Sequence, residues 1–163
     1  RRASQAVEAD RDPLTADGVE QERQRAENLA VWALGEELAG NPRAWYPLIE
    51  LARLSVVDDH EGGLRRLVTA ADRDPTGRAL AAGIELLRQD GQPGEALGLG
   101  VGHWRVREQV PEVGVHVVLA AIEAGRPHEA RQHPEALAQH PDAAAVELLV
   151  PELTRAIDAV ERV

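Results

Sequence analysis

The chain has 163 residues and a formal net charge of −10, from 28 acidic side chains against 18 basic ones, every one of the latter an arginine. That balance argues against a duplex-binding protein, because affinity for nucleic acid comes largely from neutralising phosphates with a basic face. There is no Cys, which excludes disulfides, thiolate metal sites and cysteine nucleophiles, and no apolar run reaches the roughly 18 residues of a membrane span.

Aromatic residues are confined to Trp32, Trp45, Trp104 and Tyr46, so a core must be built from Leu, Val, Ile and Ala. Abundant Ala and Leu without strand-like alternation predict an all-α chain. The exclusive use of Arg resembles the codon bias of a GC-rich bacterial genome. The opening residues Arg1-Arg2-Ala3-Ser4 lead into polar sequence without the apolar segment of a signal peptide, so a cytoplasmic protein is the expectation. An upstream start is left open, since the chain does not begin with Met.

In chain order, residues 1–16 read as a polar N-terminal arm broken by Asp12-Pro13, and residues 17–163 as one helical domain. A long helix is predicted over 17–39. Its first half, around Glu20-Gln21-Glu22-Arg23-Gln24-Arg25, is polar and should project into water or touch something else. Its second half carries Ala26, Leu29, Ala30, Ala33, Leu34 and Leu38 in a stripe expected to dock on the core. Asn41-Pro42 supplies a cap and a first-turn proline for a helix over 42–57 with Trp45, Leu48, Ile49, Ala52 and Val56 on one face. A turn at Asp58-Asp59-His60-Glu61 leads to a helix over 62–72, closed by Asp74-Pro75. Further helices are predicted over 77–89, 93–107, 112–124 and 127–139. The last stretch, 143–163, has an apolar stripe from Val146 to Val160, which Pro151 should kink or split.

The strongest internal signal is a repeat. Gly91-Gln92-Pro93-Gly94-Glu95-Ala96 is rewritten 34 residues later as Gly125-Arg126-Pro127-His128-Glu129-Ala130. Each copy reads as a left-handed glycine stop followed by a proline that suits the first turn of the next helix. Small residues recur at Gly63, Ala96 and Ala130, and Ile49-Glu50-Leu51-Ala52-Arg53 is echoed 35 residues on by Ile84-Glu85-Leu86-Leu87-Arg88. Pro75, Pro111 and Pro141 follow the second helix of each unit.

Over residues 41–141 this pattern resembles the tetratricopeptide repeat family. The resemblance implies a TPR-like α-α superhelix of about three helix-turn-helix repeats, at 42–75, 76–111 and 112–141. A long N-terminal helix would precede it, and a C-terminal capping helix over 142–163 would close it. It also implies that Glu50, Arg53, Glu85 and Arg88 face a concave groove, with Tyr46 nearby and Leu119 and Ile122 at the third repeat. Stacked arginines there could grip a peptide carboxylate, or simply form salt bridges within and between repeats. The sequence departs from the family where the bulky position of the second helix becomes Gly100 and Pro134.

No catalytic constellation appears. Gly98-Leu99-Gly100-Val101-Gly102 lies inside a helical pattern, without the strand a dinucleotide loop needs. Gly94, Gly98 and Gly102 share one helical stripe, which suggests close contact with a neighbouring helix or local irregularity. His128 and His133 are five residues apart, one too many for a zinc-protease motif, and read with His140 as surface histidines. His60, His103 and His116 are isolated, and Asp58-Asp59 and Glu36-Glu37 read as solvated charge.

The expectation is therefore a protein- or peptide-binding scaffold, not an enzyme, without cofactor or metal, and without nucleic-acid or membrane partners. A homo-oligomer is compatible with it. One alternative is a structural subunit of a larger bacterial assembly; another is a domain that senses a small ligand or peptide.

Overall fold

The computed structural model describes residues 16–40 and 43–163, with the Ala39 side chain left out. The predicted arm at 1–15 and the cap at Asn41-Pro42 lie outside the described residues. Among the described residues the secondary structure is entirely helical: α1 (Ala16–Ala39), α2 (Tyr46–Ser55), α3 (His60–Arg73), α4 (Arg78–Gln89), α5 (Pro93–His103), α6 (Glu112–Glu123), α7 (Pro127–Ala130), α8 (Gln132–Leu137) and α9 (Ala143–Glu161). None of these helices is long and apolar enough to cross a membrane.

Short turns make successive helices neighbours, and their ends are closed by local chemistry. At both copies of the repeated turn the glycine is left-handed, Gly91 at φ 74° and Gly125 at φ 72°. The next amide reaches five residues back, from Gln92 to the Leu87 carbonyl and from Arg126 to the Ala121 carbonyl, each at 2.9 Å. This six-to-one bond satisfies a carbonyl that the helix end would otherwise leave unpaired. Pro93 and Pro127 then open the following helices. Ala96 and Ala130 are fully buried behind them, and Gly63 in α3 is buried too, where an added Cβ would stand 3.1 Å from the Val56 backbone.

Asp59, expected to be solvated charge, caps α3 by accepting from the Gly62 amide at 3.0 Å. Asp74 organises the next junction. Its carboxylate accepts from the Thr76 hydroxyl at 2.6 Å, the Thr76 amide at 3.0 Å and the Ala79 amide at 2.8 Å. Burial opposes its ionisation, but these donors outweigh it and hold the carboxyl below its usual range.

The first helices of the units, α2, α4 and α6, touch in sequence along one row. Here α3 packs against α2 and α4, and α5 against α4 and α6. Beyond them α9 rests on α6, α7 and α8. The core runs through the row as Ile49, Ala52, Leu67, Leu80, Ile84, Leu87, Leu97, Val113, Val117, Val118 and Leu137, with Val146, Leu153 and Ile157 of α9 closing its end. Burial of such side chains, each worth roughly 1.5–3 kcal/mol, is what holds this aromatic-poor core together.

Several expectations are corrected. The α1 stripe of Ala26, Leu29, Ala30, Ala33, Leu34 and Leu38 does not dock; all six are exposed. Instead α1 meets α2 at Gly35, where an added Cβ would stand 2.8 Å from Leu51 Cγ, and the guanidinium of Arg66 on α3 lies over half-buried Trp32 at 5.0 Å. The helix expected over 93–107 ends at His103, where Trp104 turns extended. The one expected over 127–139 is split at Arg131 into α7 and α8, because Pro134 has no amide to donate back to Ala130. Pro151 does not split α9, which runs through it. Gly94, Gly98 and Gly102 face open space, so their stripe is not a helix contact. The tight glycine is Gly100, where a Cβ would come within 2.6 Å of Val117 Cγ2.

Candidate functional site

The residues singled out above are spread over three helices: Tyr46, Glu50 and Arg53 on α2, Glu85 and Arg88 on α4, Leu119 and Ile122 on α6. Tyr46, at the start of α2, is 62% exposed and meets Trp45 edge-on at 6.0 Å. Glu50 and Arg53 pair with each other across one turn at 3.7 Å, an exposed contact of little energetic weight. Glu85 is exposed on α4, while Leu119 and Ile122 of α6 are partly buried.

Arg88 behaves differently. Its side chain is only 16% exposed, and it reaches from α4 to α6, where Nε and Nη2 donate to the two oxygens of Glu123 at 2.9 and 2.6 Å. Its Nη1 lies 3.0 Å from His116 Nδ1. The Arg88 hydrogen bonds draw the Glu123 carboxyl below its usual range. Burial, with the adjacent guanidinium, lowers the His116 imidazole despite nearby carboxylates. His116 is therefore neutral at pH 7, with Nδ1 the acceptor and Nε2 the donor. The bidentate fork that could have held a partner's carboxylate is thus committed within the chain. Neither Glu123 nor His116 stood out in the sequence; the signal for the former is the 35-residue spacing from Arg88, one repeat on.

Beside this brace, between α4 and α6, an open cavity of about 370 Å³ is lined by Arg78, Ala81, Ala82, Glu85, Val110, Glu112 and His116. Its lining combines small apolar side chains with two carboxylates, one guanidinium and the His116 imidazole.

The remaining histidines are dispersed. His60 Nε2 lies 2.5 Å from Glu95, and that hydrogen bond raises the imidazole above its usual range. His103 stands 3.6 Å from Asp72, and His133 sits edge-on to Trp104 at 6.1 Å, where burial lowers its affinity for protons. His140 is within 2.9 Å of the Gln109 carbonyl and accepts from the Asp142 amide at 3.0 Å. Among the described residues no group of three or more His, Asp or Glu side chains is placed to hold a metal ion. Comparison of the chain with protein-family models, with curated proteins and with solved structures yields no match.

Proposed function

We propose that the chain is a protein- or peptide-binding scaffold of the tetratricopeptide type, presenting the α2–α4–α6 face as a groove to an extended segment of a partner. One observation carries this reading: three helices of the same rank lie side by side and leave an open, polar-rimmed cavity between α4 and α6. With Arg88 engaged by Glu123, the charges left at that cavity are mainly the carboxylates of Glu85 and Glu112. Together with the net charge of −10, this favours a basic segment, whose aliphatic stems would lie on Ala81 and Ala82.

The test is affinity capture from native lysate with the wild type and with a double reversal, Glu85→Arg with Glu112→Arg. The expected result is a captured protein lost from the reversed variant, with helicity unchanged by circular dichroism. Undiminished capture by the folded variant would overturn the groove. The exposed apolar side chains of α1 favour a second reading, a subunit of a larger assembly. That reading predicts a chain that precipitates or unfolds when expressed without its neighbours.

A further inference from the structure

The helices α3 and α5 both rest on α4, where Leu67 from the one and Leu99 from the other close over Gly83. Their backbones hardly approach each other directly, yet a histidine and a carboxylate meet across the gap at each end. At the start of the helices, Nε2 of His60 in α3 lies 2.5 Å from Oε2 of Glu95 in the first turn of α5. At the far end the roles are exchanged: Nδ1 of His103 in α5 lies 3.6 Å from Oδ1 of Asp72 in α3.

The surroundings of His60 call for two ring protons. The Val56 carbonyl stands 3.3 Å from Nδ1 while Glu95 faces Nε2, and a neutral imidazole, with a single N–H, can serve only one of these acceptors. Glu95 Oε2 is shielded from water and no other donor reaches it, so a ring lone pair turned toward it would leave it unpaired at a cost. His60 also opens α3, where the helix dipole disfavours a cation, so its charge is sustained by these acceptors. The charged groups acting on it are Glu95 of α5 and Asp90 after α4, with Asp59 and Glu61 beside it in the chain, all of them acidic. His103 faces Asp72, which Arg73 follows in the chain, while Arg105 pairs with Glu108 at 3.3 Å.

We propose that His60 and His103 are proton-operated clasps between α3 and α5: charged imidazoles draw the two helices together at both ends, and loss of the protons loosens the junction between the first two units. Counted from the small residues Gly63, Ala96 and Ala130, His60 stands where Pro93 and Pro127 stand in the later units, so this clasp is confined to the first junction. On the other side of that junction α2 and α4 have no charged tie among the described residues, which leaves the clasps to set its stiffness. The hydrogen bond to Glu95, above all, raises the His60 imidazole above its ordinary 6.5. Its contribution is therefore complete below that value and is lost as pH rises through the higher folded one. The inference holds whatever the α2–α4–α6 face binds.

Burial lowers the proton affinity of His116 and His133, so they oppose the clasps in any measurement of global stability, and the test reads the junction itself. Because the chain has no Cys, spin labels can be placed at Thr69→Cys on α3 and Val101→Cys on α5, both exposed and outside the pairs. Pulsed dipolar spectroscopy of the full chain should give one narrow label-to-label distance at pH 6 that broadens at pH 8.5. Each single variant, His60→Gln or His103→Gln, should lose part of this response, and the double variant should be broad at both pH values with unchanged helicity. By NMR titration, the proton affinity of His60 should fall about tenfold in Glu95→Gln. A distance distribution that is the same at both pH values overturns the proposal. So does a full response retained in the double variant, or a His60 titration that Glu95→Gln leaves in place.

Discussion

Single glycines show how far a residue's neighbours decide its meaning. Gly98 faces open space inside α5, whereas Gly100 two positions on lies against Val117 and Ile84. Gly98→Ala should stabilise the chain by about 0.5–1 kcal/mol, because alanine loses less backbone freedom on folding and meets nothing. Gly100→Ala should destabilise it by about 1–3 kcal/mol through overpacking against a β-branched side chain that cannot swing away. Urea midpoints of the two variants, moving in opposite directions, check both. A four-residue spacing in the sequence assigns Gly94, Gly98 and Gly102 to one helical face, but does not say whether that face looks inward. Arg88 teaches the same lesson: a salt bridge was one of its two expected roles, but the identity of its partners, Glu123 and His116, was not legible, because they lie 35 and 28 residues further along the chain.

At the level of the element, helix starts and stops were the most readable feature, since they rest on bonds between near neighbours. The Gly91 and Gly125 turns close their helices with the same six-to-one bond, which the repeated Gly-x-Pro wording predicts. Asp74 is the counterpart at a helix start. Replacing it with Asn should cost about 1–2 kcal/mol near neutral pH, because the Ala79 amide and the Thr76 hydroxyl lose a charged acceptor. Its carboxyl titrates lower in the folded than in the unfolded chain, so this contribution is present above about pH 4 and lost as pH falls through the folded value. Chemical denaturation of wild type and Asp74→Asn should give a gap that is wide at pH 7 and narrows below pH 4. Element reading went astray in two places, one through local backbone chemistry and one through packing. Pro134 breaks a helix whose apolar pattern continues on both sides, and α1 carries an apolar stripe that faces away from the body it joins.

For the molecule as a whole, the all-helical fold followed from composition and period, while the orientation of α1 and the lining of the cavity between α4 and α6 did not. The packing is graded: α4 and α6 touch helices on both sides, whereas residues 16–30 of α1 bury almost nothing. Native-state hydrogen exchange should therefore find the slowest amides in α4 and α6 and the fastest helical ones in the first half of α1. Uniform protection across α1 and α4 at low protein concentration would contradict that gradient.

The Arg88–Glu123 brace has a mechanical corollary. It ties α4 to α6 by two short charged bonds, while among the described residues α2 and α4 are held by apolar contact without such a tie. Bending should consequently concentrate at the α2–α4 seam, giving a stiff segment and a compliant one, so that a guest seated along both would be gripped at one end and accommodated at the other.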